Sequence, residues 1–470
     1  MASLPFITFD DLQLPPSYNL FRVAMPIYGS CYNPALLDMW TIYMGVPSRK
    51  FPLNVKGNVI CLRSHMILMM ESGTGKSTLL NGFKSLFKKE AVASVDTSWN
   101  PEQFVGKTVI GTKVDENGSV EPTYTQLPGY LKLPLIVMDE ALPLMLGERE
   151  GSKDIWTYLN TATNPYGANL VQKGRVDAPI SKRLGYFAEA SLIVGIQPAM
   201  LPAWFLDRGF FARPIHIFIK LTEDEVDDID SNRFLNNAYT DEKKNALRRY
   251  NTTLTAVENF GDAGNEIKRT VLDSAVRKAV DYGKQLRSLT KNHSSTTVRK
   301  YGESMRMRYT NVVLKYAYLY AQDGMFWELK DLGAKETQEK ALQADGFEVK
   351  TTPEHVDRGF ELMLYFLQNS VLEFMENYVV QSQHRTKMTT QAVRADLEAL
   401  KQPASIMEFI QSICNNRSCG SEAGRKWFQK YKDKKLVASE QVGQRTTKVA
   451  LTKLGKKVLE EEKPGMSWLE

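Results

Sequence analysis

The chain has 470 residues, enough for roughly two to four domains, and its 43% hydrophobic and 24% charged residues are typical of a globular protein. Four scattered cysteines argue against a disulfide framework or a zinc site, and the first residues lack the basic, apolar pattern of a secretory signal. The net charge of +6 comes from the C-terminal part, where residues 401–463 hold 14 Lys and Arg against 7 Asp and Glu. We therefore expect a cytoplasmic protein without a membrane span, whose C-terminal part contacts nucleic acid.

The first 55 residues mix prolines, aromatic residues and short apolar clusters, and we interpret residues 1–55 as an N-terminal extension. From Gly57 to Leu221, short apolar, β-prone runs alternate with helical segments. Strands that alternate with helices form a parallel sheet with helices on both faces, so residues 56–225 are predicted to be an α/β domain. The predicted strands are NVICLRSHMILMM, AVASV, LPLIVMDEA, ASLIVGIQP and RPIHIFIKL.

The segment MESGTGKST, at residues 70–78, has the composition of a phosphate-binding loop between a strand and a helix. Gly73 and Gly75 allow the backbone N–H groups to turn towards phosphates. Lys76 supplies a cation for the β- and γ-phosphates, and Ser77 supplies a hydroxyl ligand for Mg²⁺. The alternative is a glycine turn that happens to precede a helix. The residues predicted to bind the nucleotide are Ser72, Gly73, Thr74, Gly75, Lys76, Ser77 and Thr78.

Met70 stands where the usual phosphate-loop pattern has its first glycine. That glycine mainly eases the exit from the strand, whereas Gly73 and Gly75 are the ones that approach phosphate. We therefore expect Met70→Gly to leave ATP hydrolysis within a few fold and Lys76→Ala to abolish it.

A second motif completes a nucleotide site about 65 residues downstream. The apolar run Leu135–Met138 ends in Asp139 and Glu140. Asp139 is predicted to hold Mg²⁺ through water, and Glu140 to polarise the water that attacks the γ-phosphate. A strand that ends at an ordinary helix-capping aspartate is the alternative.

Polar residues also follow the next apolar runs. Gln197 ends the strand ASLIVGIQP, where it can touch the γ-phosphate or the attacking water, or else cap the strand. Arg208 and Arg213 precede the last strand, and we favour Arg213 as an arginine that stabilises transition-state charge on a neighbouring subunit's nucleotide. The alternative for both arginines is an exposed, solvated side chain.

Beyond residue 225 the pattern becomes helical and charged, and we interpret 226–380 as a helical domain without strands. Its predicted helices include Ile267–Leu289, Thr297–Ala321 and Glu354–Val380.

A polar link leads to a basic C-terminal domain at 390–465. We predict helices at Ala392–Ala399, Ile406–Asn415 and Glu422–Lys434, then two β-prone runs that flank a hairpin turn at 443–444. Three helices followed by a hairpin is the order of a winged helix-turn-helix.

In a winged helix the third helix usually enters the major groove, and the hairpin contacts the phosphate backbone. The alternative role for such a domain is protein docking or regulation. The residues predicted to lie near DNA are Arg425, Lys426, Lys430, Lys432, Arg445 and Lys448.

Taken together, GTGKST, LIVMDEA, SLIVGIQP and FFARPIHIF resemble the motifs of an AAA+ ATPase. More narrowly, they are similar to those of MCM-like replicative helicases, including helicases carried by mobile elements and viruses. The resemblance covers about Gly57–Tyr378, and the C-terminal winged helix extends it. It implies an AAA+ P-loop core, a helical lid at 226–380 and ATP with Mg²⁺ bound between the subunits of a homo-oligomer, a hexameric ring.

The resemblance also implies a basic hairpin before the strand of Gln197 that grips one DNA strand in the ring channel. Basic side chains on a stiff ribbon suit a phosphate backbone, although a solvated basic loop is the alternative. The family further places a nucleotide-sensing arginine in the lid, for which we prefer Arg308 over Arg306. The hairpin residues are Lys173, Arg175, Lys182 and Arg183.

One departure concerns loading onto DNA. The chain has no N-terminal module of the size that cellular MCM proteins use as a DNA-binding collar, nor its zinc cysteines. A primase or an origin-binding protein is therefore an expected partner.

The motifs, together with the resemblance to MCM-like helicases, favour an ATP-driven DNA helicase or translocase that replicates a virus or plasmid and moves on single-stranded or forked DNA in the host cytoplasm. One alternative is an AAA+ initiator, an origin-binding or remodelling ATPase without unwinding activity, and another is a DNA-packaging motor.

Overall fold

The structure is a computed structural model. The chain divides into two compact units, Met1–Pro198 with Leu206–Phe374 and Ala199–Phe205 with Met375–Glu470. The structure describes residues 4–25, 29–50, 52–95, 101–114, 120–139, 141, 159–160, 162–163, 170–171, 185–186, 188–198, 213–235, 245, 250–252, 268–329, 336, 339, 348–378, 390–417, 421–442 and 446–460.

The N-terminal residues form helices α1 (Tyr18–Ala24) and α2 (Asn33–Gly45), followed by a short hairpin of β1 (Leu53–Val55) and β2 (Asn58–Ile60). Every residue of α2 is buried, which explains why its apolar positions show no single helical face. The N-terminal extension therefore packs into the core of the first unit.

A sheet of five parallel strands forms the centre of the first unit. Its members are β3 (His65–Met70), β4 (Val92–Val95), β7 (Leu135–Met138), β10 (Ser191–Ile196) and β11 (Ile215–Ile219). Their order across the sheet is β11–β3–β10–β7–β4, and all neighbours pair in parallel. All residues of β3, β7, β10 and β11 are buried, as expected for strands covered on both faces. The α/β prediction is confirmed, and each predicted strand run contains one strand of the sheet. The run NVICLRSHMILMM was predicted as one strand but holds two, because its first residues form β2 and pair with β1.

The stretch between β4 and β7 holds a feature that the sequence analysis did not predict. Helix α4 (Pro101–Val105) leads into a long antiparallel hairpin of β5 (Gly106–Val114) and β6 (Val120–Pro128). The large apolar side chains of Val109, Ile110 and Leu127 on this hairpin are exposed. Such a ribbon lies outside the main core, so it leaves little hydrophobic signal in the sequence.

The region after β7 contains a second, shorter ladder. Strand β8 (Leu170–Val171) pairs antiparallel with β9 (Gly185–Tyr186), so Val171 and Gly185 lie side by side. The basic residues predicted for this segment, Lys173, Arg175, Lys182 and Arg183, lie outside the described residues.

Helices α3 (Lys76–Lys84) and α5 (Glu223–Leu235) follow β3 and β11. The remaining helices of this unit are α6 (Asp273–Lys291), α7 (Thr296–Met305), α8 (Tyr309–Leu329) and α9 (Pro353–Phe366), and α9 continues into π-helical turns at Leu367–Val371.

Two predictions for this helical part are wrong. Strands β12 (Lys268–Val271) and β13 (Glu348–Thr351) pair in parallel, so the region does contain strands. The predicted helix Thr297–Ala321 is two helices, because the chain turns at 306–308 through bonds from Arg306 N to Glu303 O and from Arg308 N to Met305 O. Two strands of four residues and a turn without Gly or Pro leave only weak sequence signals, and the helical periodicity around them is strong. The sequence pattern therefore missed both features.

The second unit has a core of its own. Helices α10 (Thr390–Glu398), α11 (Ile406–Arg417) and α12 (Ser421–Asp433) precede the hairpin of β15 (Val437–Val442) and β16 (Thr446–Leu451). This is the predicted order. Two additional elements are the edge strand β14 (Ala404–Ser405), paired with β16, and the terminal helix α13 (Lys453–Glu460).

Among the described residues, no helix is both long and apolar enough to cross a membrane.

Candidate functional site

A glycine-containing loop joins β3 to α3 at the carboxyl edge of the sheet. The strand ends at Met70 and the helix begins at Lys76. Gly73 and Gly75 have φ angles of 85° and 86°, a left-handed conformation that other residues adopt only with strain. Gly75 is the N-cap of α3, and its carbonyl accepts the Leu79 N–H at 3.0 Å. The N–H groups of the first helical turn therefore point towards the space above the loop, as an anion-binding helix start requires.

Lys76 and Ser77 both contact one carboxylate. Lys76 Nζ lies 3.0 Å from Asp139 Oδ1, and Ser77 Oγ donates a hydrogen bond of 3.0 Å to Asp139 Oδ2. Lys76 is only 7% exposed, and its ammonium makes no hydrogen bond of good geometry within the described part of the chain. A buried ammonium held only by charge keeps its donors available for a phosphate.

Strand β10, which lies between the loop and Asp139, makes the contact of Lys76 with Asp139 possible. Strand β10 separates β3 from β7, and Gly195 on β10 lies directly under the ion pair. A Cβ at Gly195 would lie 3.1 Å from Asp139 Oδ1 and 3.5 Å from Lys76 Cδ. Lys76 thus reaches Asp139 across an intervening strand because that strand has no side chain at this position. Sequence analysis did not single out Gly195.

Gln197 and Glu140 follow the strands that carry the site. Gln197 comes directly after β10, one residue beyond the pair Ile196–Met69, so it lies at the same sheet edge as the loop. Ala141, after β7, donates its N–H to the Gly195 carbonyl at 3.1 Å. Glu140 lies outside the described residues, so its predicted role stays a prediction.

The N-terminal extension also reaches the loop, which the sequence did not suggest. Tyr32 is 1% exposed and ends a short 3₁₀ turn at the start of α2. Its hydroxyl donates a hydrogen bond of 2.6 Å to the Thr74 carbonyl. Burial, together with the charges of Cys31 and Glu225, raises the pKa of Tyr32 to about 12, so the hydroxyl remains a donor at neutral pH.

Arg213 lies at the opposite edge of the sheet. It precedes β11, whose first residue Ile215 pairs with Met66 near the start of β3, whereas the loop follows the end of β3. Its guanidinium donates to the Asn160 carbonyl and lies 3.3 Å from Thr163 Oγ1. Partial burial, and then the nearby charge of Arg308, lower the pKa of Arg213.

A cavity of about 80 Å³ lies beside Arg213, and three arginines and one lysine are among the residues that line it. The basic side chains that line it are Arg63, Arg213, Arg308 and Lys315. His65 also lines it, and burial followed by the neighbouring positive charges lowers the pKa of His65 well below its usual value, so this ring is neutral at pH 7. Arg63 is 4% exposed and donates to the Ala162 and Ala190 carbonyls, which ties the start of β3 to the chain before β10. The structure therefore brings Arg213 and Arg308 together, away from the loop of their own chain. Arg306 is exposed, and Arg208 lies outside the described residues.

In the second unit, the predicted basic residues are exposed where the structure describes them. Arg425, Lys426, Lys430 and Lys432 are exposed on α12, and Lys448 is exposed on β16. Arg445 lies outside the described residues.

Trp427 is partly buried against the core of this unit, with the Arg417 guanidinium 3.8 Å and the Lys430 ammonium 4.4 Å from its ring. Arg417 in turn pairs with the buried Asp396, and Tyr431 donates to the same carboxylate. These contacts fix the face of α12 that carries the basic residues.

The oxygen donors at the loop fit a hard cation. The Ser77 hydroxyl and the Asp139 carboxylate lie within hydrogen-bond distance, and Mg²⁺ usually takes one or two protein oxygens together with waters and substrate phosphates. Among the described residues, no group of three His, Cys, Asp or Glu side chains is placed to hold a metal ion by itself. The protein groups thus suit a cation that arrives with a phosphate ligand.

No protein-family model matches this chain, and no curated protein sequence matches it.

Proposed function

We propose that the chain is an AAA+-type ATPase that works as a ring-forming DNA translocase or helicase, with the helical part of the first unit as its lid and the second unit as a winged-helix domain. The observation that carries the proposal is the triad of Lys76, Ser77 and Asp139 at the end of two parallel strands, above Gly195. A buried ammonium, a hydroxyl and a carboxylate beside a helix N-terminus are the groups that phosphoryl transfer requires.

In this proposal each side chain has one role. The N–H groups of the loop and the Lys76 ammonium bind the β- and γ-phosphates of ATP, and Ser77 and Asp139 hold Mg²⁺, which neutralises charge that develops on the phosphates. Glu140 and Gln197 position the attacking water. When the nucleotide binds, Lys76 exchanges its contact with Asp139 for the phosphates.

Arg213 cannot serve the nucleotide of its own chain. The pairing of Ile215 with Met66 puts it at least four residues of strand, or about 13 Å, from the end of β3. In this proposal the arginine stabilises transition-state charge on a neighbouring copy's nucleotide, and each site is shared between two subunits of a homo-oligomer. Arg308, beside Arg213, belongs to the same shared edge.

Mixing two inactive variants tests the shared site. Lys76→Ala removes the phosphate ligand and Arg213→Ala removes the neighbour's arginine, so each is expected to lose ATPase activity alone. In a mixture, some interfaces pair an intact loop with an intact Arg213, and activity should return to a sizeable fraction of wild type. The control mixes the double variant with inactive Lys76→Ala, which creates no intact interface. Absence of recovery in the first mixture would contradict a site shared between copies.

The DNA part of the proposal rests on the exposed basic residues of α12 and on the basic residues that the sequence places between β8 and β9. Unwinding of a forked duplex by the wild type, lost in Glu140→Gln, tests helicase activity. ATPase activity that single-stranded DNA does not stimulate, together with no unwinding, would refute it.

The second candidate is an initiator or remodelling ATPase that binds duplex DNA without unwinding it. The exposed cations of α12 favour this candidate as much as they favour a helicase, because the third helix of a winged-helix domain usually enters the major groove of duplex DNA. Sequence-selective duplex binding, lost in Arg425→Ala with Lys426→Ala, together with weak hydrolysis, would support this candidate.

A further inference from the structure

The contact between Tyr32 and the loop has a chemical consequence for nucleotide binding. Tyr32 donates to the carbonyl of Thr74, the residue between the two glycines with positive φ. The peptide bond is planar and trans, so the carbonyl of one residue and the N–H of the next point in opposite directions. A hydrogen bond that holds the Thr74 carbonyl on one side therefore holds the Gly75 N–H on the other.

The peptide between Thr74 and Gly75 needs a restraint from outside the loop. Glycine populates positive and negative φ with similar ease, so Gly73 and Gly75 permit rotation of the peptides that they flank. Within the loop, Thr74 Oγ1 bonds the Glu71 carbonyl at 2.7 Å, which fixes the Thr74 side chain but not the orientation of its carbonyl. The Tyr32 bond, at 2.6 Å, acts on the carbonyl directly.

Tyr32 is well placed to supply that restraint. It is almost fully buried, and it directly precedes α2, whose residues are all buried. Near the far end of that helix, the Met44 carbonyl accepts a hydrogen bond of 2.6 Å from Gln322 Nε2 of α8. The hydroxyl is thus anchored by core packing, the condition for a group that orients another.

We propose that Tyr32 is a positioning residue for the nucleotide: through the Thr74 carbonyl it holds the Gly75 N–H turned towards the phosphates before ATP or ADP binds. The inference rests on the proposed nucleotide site and assigns to the N-terminal extension a part in forming it. Without the hydroxyl, the loop must be ordered by the ligand, so affinity falls, whereas the fully bound state is unchanged.

The test compares Tyr32→Phe with Tyr43→Phe. Tyr43 lies on α2, the helix that Tyr32 precedes, is 5% exposed, and its hydroxyl has no hydrogen-bond partner among the described residues, so its removal controls for loss of a buried tyrosine hydroxyl. For Tyr32→Phe we expect Kd for ADP and KM for ATP to rise about five-fold, equivalent to ~1 kcal/mol, with kcat at saturating ATP within about two-fold of wild type. Tyr43→Phe should leave all three quantities unchanged.

Binding is measured by calorimetry with ADP, at a temperature at which circular dichroism shows all proteins folded. Tyr32→Met, which removes the hydroxyl with a different side chain, should raise Kd by at least the same factor and serves if Tyr32→Phe does not fold. Equal affinities in Tyr32→Phe and wild type, or a fall in kcat at unchanged KM, would overturn the positioning role alone. A wild-type chain that binds neither ADP nor ATP would instead overturn the proposed function, and this inference with it.

Discussion

Gly195 offers the sharpest test of the site. A methyl group added at this position would push against the ion pair of Lys76 and Asp139 without removing either side chain. A Cβ at this position would lie 3.1 Å from Asp139 Oδ1, and 3.5 Å from both Lys76 Cδ and the Met138 carbonyl. Ordinary contacts of this kind begin near 3.4 Å, so Gly195→Ala moves the Asp139 carboxylate by about 0.3 Å while the rest of the strand stays in place.

The size of the effect follows from that displacement. A misplacement of 1 Å costs about 100-fold in rate, so 0.3 Å predicts a loss of about four-fold in kcat/KM for ATP. Gly195→Val adds two further carbon atoms in the same space, and we expect it to lower ATPase activity by about 100-fold or more. Because Lys76 and Asp139 remain in both variants, the loss arises from geometry alone.

The assay is steady-state ATP hydrolysis, with thermal unfolding measured in parallel. Gly324→Ala is the matched control, since Gly324 lies in helix α8, and a Cβ there would meet nothing within 4 Å. It should keep full activity and unfold at the same or a slightly higher temperature. A Gly195→Val protein that hydrolyses ATP at the wild-type rate would refute the view that Gly195 makes room for the ion pair.

Other variants test other parts of the molecule. Met70→Gly should lower the free energy of unfolding by about 2–5 kcal/mol, because Met70 is fully buried at the end of β3 and pairs with Ile219; unchanged denaturant unfolding would contradict this. Lys76→Ala should abolish ATP binding in calorimetry without unfolding the chain, and retained affinity would count against the loop as the phosphate site. Asp396→Ala should destabilise the second unit by about 3–5 kcal/mol in scanning calorimetry, since it leaves Arg417 buried without its carboxylate, and an unchanged transition would refute that role.

The motif pattern and the structure assign different roles to Met70. The sequence analysis treated it as a substitution at the entrance of the loop, with a few-fold effect on hydrolysis at most. In the structure it is a core residue of the strand, and the chain leaves β3 only at Glu71. We therefore expect Met70→Gly to act on stability rather than on the chemistry of the loop.

The sequence alone determined the elements whose signal is local. Apolar runs predicted the five strands of the main sheet, the glycines and Lys76 predicted the loop, and helical periodicity with a hairpin turn predicted the order of the second unit. Local patterns failed where a segment is short or lies outside the core, as at strands β12 and β13 and at the hairpin of β5 and β6.

The tertiary structure alone decided which residues meet across distant parts of the chain. Strand order in a parallel sheet is set by crossover connections, so no local pattern reveals that β10 separates Lys76 from Asp139 or that Gly195 makes their contact possible. The same holds for Tyr32, which lies 42 residues before Thr74 and contacts it only because α2 packs into the core. A motif specifies the chemical groups of a site, whereas packing between remote segments specifies their positions.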